Sequence, residues 1–173
     1  MTSGKTTLGK ILANVIGWNF YDLDKVLEEH ENMTVHEIFT SKGEDYFRKL
    51  EKETLAKLSE EEFVVISLGG GTVTNDYIID FINNKGFVIY LTVSPENLYM
   101  RLKNKINRPL FRDLVLSDNV TKEDFLNKIN DLLSKREKFY KQADLEIASD
   151  STRIGKTVDN IARKLHGVID EKD

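Results

Sequence analysis

Short apolar runs of strand character alternate with segments of helical period along the 173-residue chain. That rhythm implies parallel strands joined by crossover helices, since two parallel strands can be connected only by crossing a face of the sheet. Leu8, Ile11, Leu12, Val15 and Ile16 recur at helical spacing, and Gly17 follows where a left-handed C-terminal cap belongs. Asn19 to Leu23 then reads as a short strand, Glu44 to Ser59 as a charged amphipathic helix, and Phe63 to Leu68 as an apolar strand running into Gly69, Gly70 and Gly71. A helix over Asp76 to Asn83 precedes a strand over Phe87 to Val93. Ser94, Pro95 and Glu96 supply an N-cap, a proline at the first helical position and an acidic first turn, and Thr121 with Asp124 opens a later helix in the same manner. Asp144 to Ala148 is a last strand before a helix through Leu165. The length fits one α/β domain over residues 1–173.

One stretch breaks the rhythm. Lys105 to Val120 has no clear period and carries Arg108 and Arg112, and a loop of that length in a small domain reads as a lid or binding loop. Composition narrows the chemistry further. The absence of cysteine removes thiolate nucleophiles, disulfides and Cys-ligated zinc, and it fits a reducing, cytoplasmic setting. A net charge of −4 argues against a nucleic-acid partner. The longest apolar runs, such as Phe87 to Leu91, fall far short of the roughly 20 residues that span a bilayer, so no membrane role is expected. His30, His36 and His166 lack metal-site spacing and read as surface residues.

The N-terminal stretch Ser3-Gly4-Lys5-Thr6-Thr7 runs directly into the first helix, the context a phosphate-binding loop requires. Backbone N–H groups at such a helix start point at phosphates, the lysine neutralises their charge, and the threonine hydroxyl can reach Mg²⁺. The full pattern G-x-x-x-x-G-K-[ST] places its first glycine two residues before Met1, and a strand before that. Met1 is therefore expected to be an internal methionine of a longer protein, with an apolar strand upstream. Asp22 and Asp24, two apart at the end of a predicted strand, share one face at the carboxyl edge where α/β sheets bind ligands. They read either as a pair serving a metal and a substrate hydroxyl or as a solvated turn.

Taken in order, these residues resemble the shikimate kinase family over nearly the whole chain. The resemblance rests on Gly4-Lys5-Thr6, Asp22-Leu23-Asp24, Ile38-Phe39 with Gly43-Glu44 and Phe47-Arg48-Lys49-Leu50-Glu51, Gly69-Gly70-Gly71-Thr72-Val73, Arg108-Pro109-Leu110, and Arg136 with Tyr140. It implies a three-layer α/β/α P-loop kinase fold whose parallel sheet has the order 2-3-1-4-5, four strands of which this chain supplies. It also implies a substrate-binding helical region at residues 25–59, a lid at 105–120, and a monomer acting on ATP and shikimate with Mg²⁺.

The roles implied are as follows. Lys5 holds the transferring phosphate, within a nucleotide site of Ser3, Gly4, Lys5, Thr6 and Thr7. Thr6 ligates Mg²⁺, with Asp22 supporting the metal through water. Asp24 binds shikimate hydroxyls and is the base for the one that attacks. Arg48 and Arg136, with the backbone of Gly70 and Gly71, hold the shikimate carboxylate. Arg108 swings onto the phosphates, and Arg153 lies beside adenine. Two other readings stay open at this point: another small-molecule P-loop kinase such as a gluconate kinase, or a relative that binds these ligands without turnover. An Asn at position 32, where the family often has glycine, fits a left-handed turn.

Overall fold

In the computed structural model, which describes residues 2–74, 76–105, 109–117, 119–150 and 154–169, both strand ladders are parallel. The described residues form two compact units, Gly4–Thr72 with Thr152–Asp173, and Met1–Ser3 with Val73–Ser151.

The first unit holds α1 (Lys5–Ile16), β1 (Asn19–Asp22), α2 (Leu23–Glu31), α3 (Val35–Lys42), α4 (Glu44–Leu58), β2 (Val64–Ser67) and α9 (Ile154–Ile169). β1 and β2 pair in register from Asn19 opposite Val64 to Asp22 opposite Ser67, which matches the expected adjacency of the second and third family strands. α1 packs against both strands and against α9, with Leu8, Leu12 and Ala13 buried on its inner face and Val158, Ile161 and Leu165 on that of α9. Of the stripe read from sequence, Leu8 and Leu12 are buried and Ile11 and Ile16 half-buried, while Val15 is exposed. Gly17 is the left-handed C-cap of α1, with φ 74°. Trp18 packs edge-on against Phe63, 5.8 Å between ring centroids, as a structural contact.

α2, α3 and α4 form a helical arm around fully buried Leu23, Leu27 and Ile38, with Phe47 and Leu55 beside them. Thr34 starts α3 with a complete capping box to Glu37. Asn32 ends α2 in the left-handed conformation, φ 51°, as its substitution for glycine implies.

The second unit holds α5 (Asp76–Lys85), β3 (Ile89–Thr92), α6 (Pro95–Leu102), α7 (Pro109–Leu116), α8 (Lys122–Tyr140) and β4 (Leu145–Ala148). β3 and β4 pair in parallel from Ile89 opposite Leu145, again the adjacency expected of the fourth and fifth family strands. Ser94 caps α6 with Pro95 in its first turn, and Thr121 and Asp124 form the capping box of α8. Leu98, Leu102, Phe111, Phe125 and Ile129 make this unit's core cluster.

Two local expectations change. The stretch read as aperiodic contains α7, because Phe111, Leu114 and Val115 turn one face onto that core. Three apolar positions within one helical turn are too few to register as a period in sequence. Asp24, read as a strand residue on the face of Asp22, lies instead in the first turn of α2. β1 ends at Asp22, whose carboxylate accepts the Lys25 N–H at 3.4 Å as the helix N-cap.

Candidate active site

The site is assembled where α1, α2, α4 and the turn after β2 present their ends within the first unit. Gly4 caps the start of α1 with φ 89°, a conformation that costs a non-glycine residue strain, and its carbonyl accepts the Leu8 N–H at 2.9 Å. Lys5, Thr6 and Thr7 are the first three residues of the helix, the end at which backbone N–H groups and the helix dipole favour an anion. Thr6 Oγ1 donates to Asp22 Oδ2 at 2.5 Å, bringing the start of α1 and the end of β1 together. A hydroxyl beside a carboxylate is a set of hard oxygen donors of the kind Mg²⁺ takes when substrate phosphates complete its shell. The two residues therefore fit that ion. Among the described residues no group of three or more His, Cys, Asp or Glu is placed to hold a metal.

Asp24 faces the triglycine. A Cβ on Gly69 would lie 2.7 Å from Asp24 Oδ1, so only glycine lets the strand end and the carboxylate approach this closely. Burial, then the charges of Asp22 and Glu51, push the Asp24 carboxyl above its usual range, while Lys5 pulls it back. A carboxylate raised in this way is a stronger proton acceptor than an exposed one.

Arg48, in the first turns of α4, faces the same turn. A Cβ on Gly71 would lie 3.1 Å from Arg48 Nη2. The guanidinium is fixed from behind: Nη1 donates to Glu51 Oε2 at 2.8 Å, and Glu51 Oε1 accepts from Thr72 Oγ1 at 2.7 Å. Glu51 and Thr72 are both buried, each 4% exposed. Arg48 also stands over the rings of Phe39 at 5.7 Å and Phe47 at 5.3 Å. Its Nε and Nη2 edge rests on Glu44 Oε1, both contacts at 3.3 Å, and Glu44 is largely exposed. Gly70 sits between the two close-approach glycines, in a turn that the Thr72 N–H closes onto the Gly69 carbonyl at 3.3 Å.

The structure thus gathers Gly4, Lys5, Thr6, Thr7, Asp22, Asp24, Arg48, Gly70 and Gly71 in one unit. Ser3 and Arg136 belong to the other. The Ser3 carbonyl accepts from Ser149 Oγ at 3.2 Å. Arg136 is hydrogen-bonded to Tyr140 one turn later on α8, and the Tyr140 ring lies tilted against Tyr90 of β3, 5.0 Å between centroids. Arg108 and Arg153 lie outside the described residues. Sequence reading gave no role to Glu51 or Thr72. The signal was there in part, since Arg48 and Glu51 are three apart on one helix.

Residues 1–166 match the family described as shikimate kinase. The chain is 39% identical to a shikimate kinase of Chloroherpeton thalassium, over 95% of this chain and 87% of that one. It is 42% identical to a shikimate kinase of Chlorobaculum tepidum, over 94% and 85%. The chain belongs to the shikimate kinase family. Among solved structures, a shikimate kinase from Bacteroides thetaiotaomicron superposes with a TM-score of 0.83 at 34% identity, covering 96% of this chain and 94% of its own. The enzyme from Acinetobacter baumannii, solved in complex with shikimate, gives 0.77 at 31% identity, covering 99% and 89%. The fold is that of the shikimate kinases, an α/β P-loop kinase fold with parallel strands. As a member, the chain is a phosphotransferase that uses ATP, and the family's reaction is ATP-dependent phosphorylation of shikimate in aromatic amino acid synthesis. No helix among the described residues is long and apolar enough to cross a membrane.

Proposed function

We propose that residues 1–173 form one domain that transfers the γ-phosphoryl group of ATP to shikimate, giving ADP and shikimate 3-phosphate. The observation that carries this reading is the convergence of Asp24 and Arg48 on the triglycine turn, against Gly69 and Gly71 respectively. Shikimate has a carboxylate at one end and hydroxyls at the other. A guanidinium suits the first because its fork matches a carboxylate bidentately, and a raised carboxylate suits the second.

In this mechanism Arg48, held by Glu51, anchors the substrate carboxylate together with Arg136 and the backbone of Gly70 and Gly71. Asp24 orients the attacking hydroxyl and takes its proton. The hydroxyl oxygen bonds to the γ-phosphorus while the bond to the β–γ bridging oxygen breaks, and ADP leaves with the bridging electrons. Lys5 and the N–H groups of Ser3, Gly4, Thr6 and Thr7 hold the phosphates, which is most of what phosphoryl transfer asks of a protein. Thr6, with Asp22, would hold Mg²⁺, which when bound would neutralise phosphate charge. Arg108, within a lid over residues 105–120, joins the phosphates, and Arg153 lies against adenine. Residues 25–59 are the substrate-binding helical region, in which Arg48 is the side chain that touches shikimate.

A monomer in the cytoplasm is the proposed setting, in keeping with a cysteine-free chain. The test is product identification: phosphorus NMR of the chain with ATP, Mg²⁺ and shikimate should develop a phosphomonoester resonance matching shikimate 3-phosphate as γ-ATP is lost. Loss of γ-ATP to inorganic phosphate alone would contradict the reading.

A further inference from the structure

At the far end of the helical arm, one carboxylate joins all three helices. Glu31 is the last residue of α2, and its side chain is only 5% exposed. Lys42, the last residue of α3, donates to Glu31 Oε2. Tyr46, in the first turn of α4, donates its hydroxyl to Glu31 Oε1 at 2.9 Å. Lys42 Nζ also lies 4.7 Å above the Tyr46 ring and 3.4 Å from its hydroxyl. His30 Nδ1 adds a contact to Oε1 at 3.1 Å. Lys42 and Tyr46 together hold the Glu31 carboxyl down to about 2, so the cluster stays charged at neutral pH.

Between Lys42 and Tyr46 lies the α3–α4 junction, a single residue. Gly43 ends one helix and starts the next with φ 84° and ψ 168°, in a region essentially reserved for glycine. Such a joint does not by itself hold a fixed angle, because glycine accepts many backbone conformations. The angle matters to Arg48. That residue is two positions beyond Tyr46, and its guanidinium leans on Phe39 of α3 as well as on Phe47 of α4. Phe39 and Phe47 are themselves in contact, 4.4 Å between centroids, so a change of angle at Gly43 would pull that aromatic seat apart.

We propose that Glu31 is a positioning residue for shikimate capture: by tying Lys42 and Tyr46 on either side of Gly43, it sets the α3–α4 angle at which Arg48 meets the substrate carboxylate. The inference rests on the reading of Arg48 as a carboxylate ligand. Glu31 touches neither substrate nor nucleotide in this account; it acts through the helix that carries Arg48.

The test measures shikimate dissociation constants by calorimetry, with KM for both substrates and kcat, on the full chain. The variants are Glu31→Ala, Glu31→Gln and Lys42→Met, where the last keeps the aliphatic stem on Tyr46 and guards against a Glu31→Ala protein that does not fold. Residues coupled to a site through packing typically change affinity by factors of about 2 to 30. A rise of that size in shikimate Kd and KM is expected for Glu31→Ala and Lys42→Met, with ATP KM and kcat within about twofold of the parent. Glu31→Gln, which keeps the Tyr46 hydrogen bond, should fall between. In an Arg48→Ala background the Glu31→Ala effect on shikimate binding should vanish. Unchanged shikimate affinity in both Glu31→Ala and Lys42→Met would overturn the proposal, as would an equal loss with Arg48 already absent. If Arg48→Ala alone binds shikimate normally, the ligand assignment fails first and the clamp's role fails with it.

Discussion

Arg48 donates to the buried carboxylate of Glu51 at 2.8 Å, and that single contact decides which edge of the guanidinium is left for a ligand. Glu51 also accepts from Thr72, so removing it leaves Arg48 with only the exposed Glu44 and strands a buried hydroxyl. Breaking a buried pair by deleting one partner costs about 3 to 5 kcal/mol, and the partial exposure of Arg48 places Glu51→Ala at the lower end. Chemical denaturation should therefore show a loss of about 3 kcal/mol, together with weaker shikimate binding. A variant as stable as the parent would mean that the network is decorative.

The Nε and Nη2 edge of Arg48 is occupied by Glu44, an exposed side chain at the first position of α4. A substrate carboxylate must displace it. Exposed ion pairs are worth about 0.2 to 1 kcal/mol, so Glu44→Gln should tighten shikimate binding by up to about fivefold. Arg48→Ala should weaken it by about 10- to 150-fold, the value of a hydrogen bond to a charged group, with ATP affinity unchanged. Calorimetric titration of both ligands into both variants separates these effects. Weakened binding in Glu44→Gln would show Glu44 to be a support rather than a competitor.

For Asp24 the direction of the pKa shift gives two opposite consequences. Its carboxyl is raised above the ordinary 3.8, so the folded state binds that proton more tightly than the unfolded chain. The contribution to stability is full below the ordinary value and is lost as pH rises through the raised one. At neutral pH the charge is thus a cost, and Asp24→Asn should raise the melting temperature while flattening that part of the pH profile. The same substitution removes the proton acceptor and should cut kcat by about 100-fold or more. In the parent enzyme, the acid limb of kcat/KM should follow a group titrating above the ordinary carboxylate range. A variant both less stable and fully active would contradict the assignment.

Much of the scaffold was legible because its signals are local. Gly17, Ser94 with Pro95, and Thr121 with Asp124 each announce a helix end within four residues, and each stands where the sequence placed it. The candidate site was legible in its Gly-Lys-Thr, aspartate and triglycine motifs, and less so where burial decides. Asp24 reads as a strand residue because the apolar run from Asn19 outweighs the helix start signal of Asp22, which the structure shows to be the N-cap of α2. Glu51 looks like one more charge on a charged helix. Only its meeting with Thr72, 21 residues away, turns it into a buried partner for Arg48.

The triglycine offers a paired test, because its outer glycines face different groups. Gly69→Ala drives a methyl to 2.7 Å from Asp24 Oδ1, too close to stand without displacement, and should lower kcat more than it raises shikimate KM. Gly71→Ala comes within 3.1 Å of Arg48 Nη2, a tight contact that shifts the guanidinium by a few tenths of an ångström at most, and should raise shikimate KM with a smaller effect on kcat. Steady-state kinetics on the two variants should give this crossed pattern. Identical profiles would indicate that the turn acts only as structure.

The most direct measurement is ADP release by the chain with ATP and Mg²⁺, followed in parallel with shikimate, with gluconate and without acceptor. Release well above background is predicted with shikimate alone, falling by about 100-fold or more in Asp24→Asn. Release that is equal with gluconate, equal without acceptor, or absent with shikimate would contradict the account.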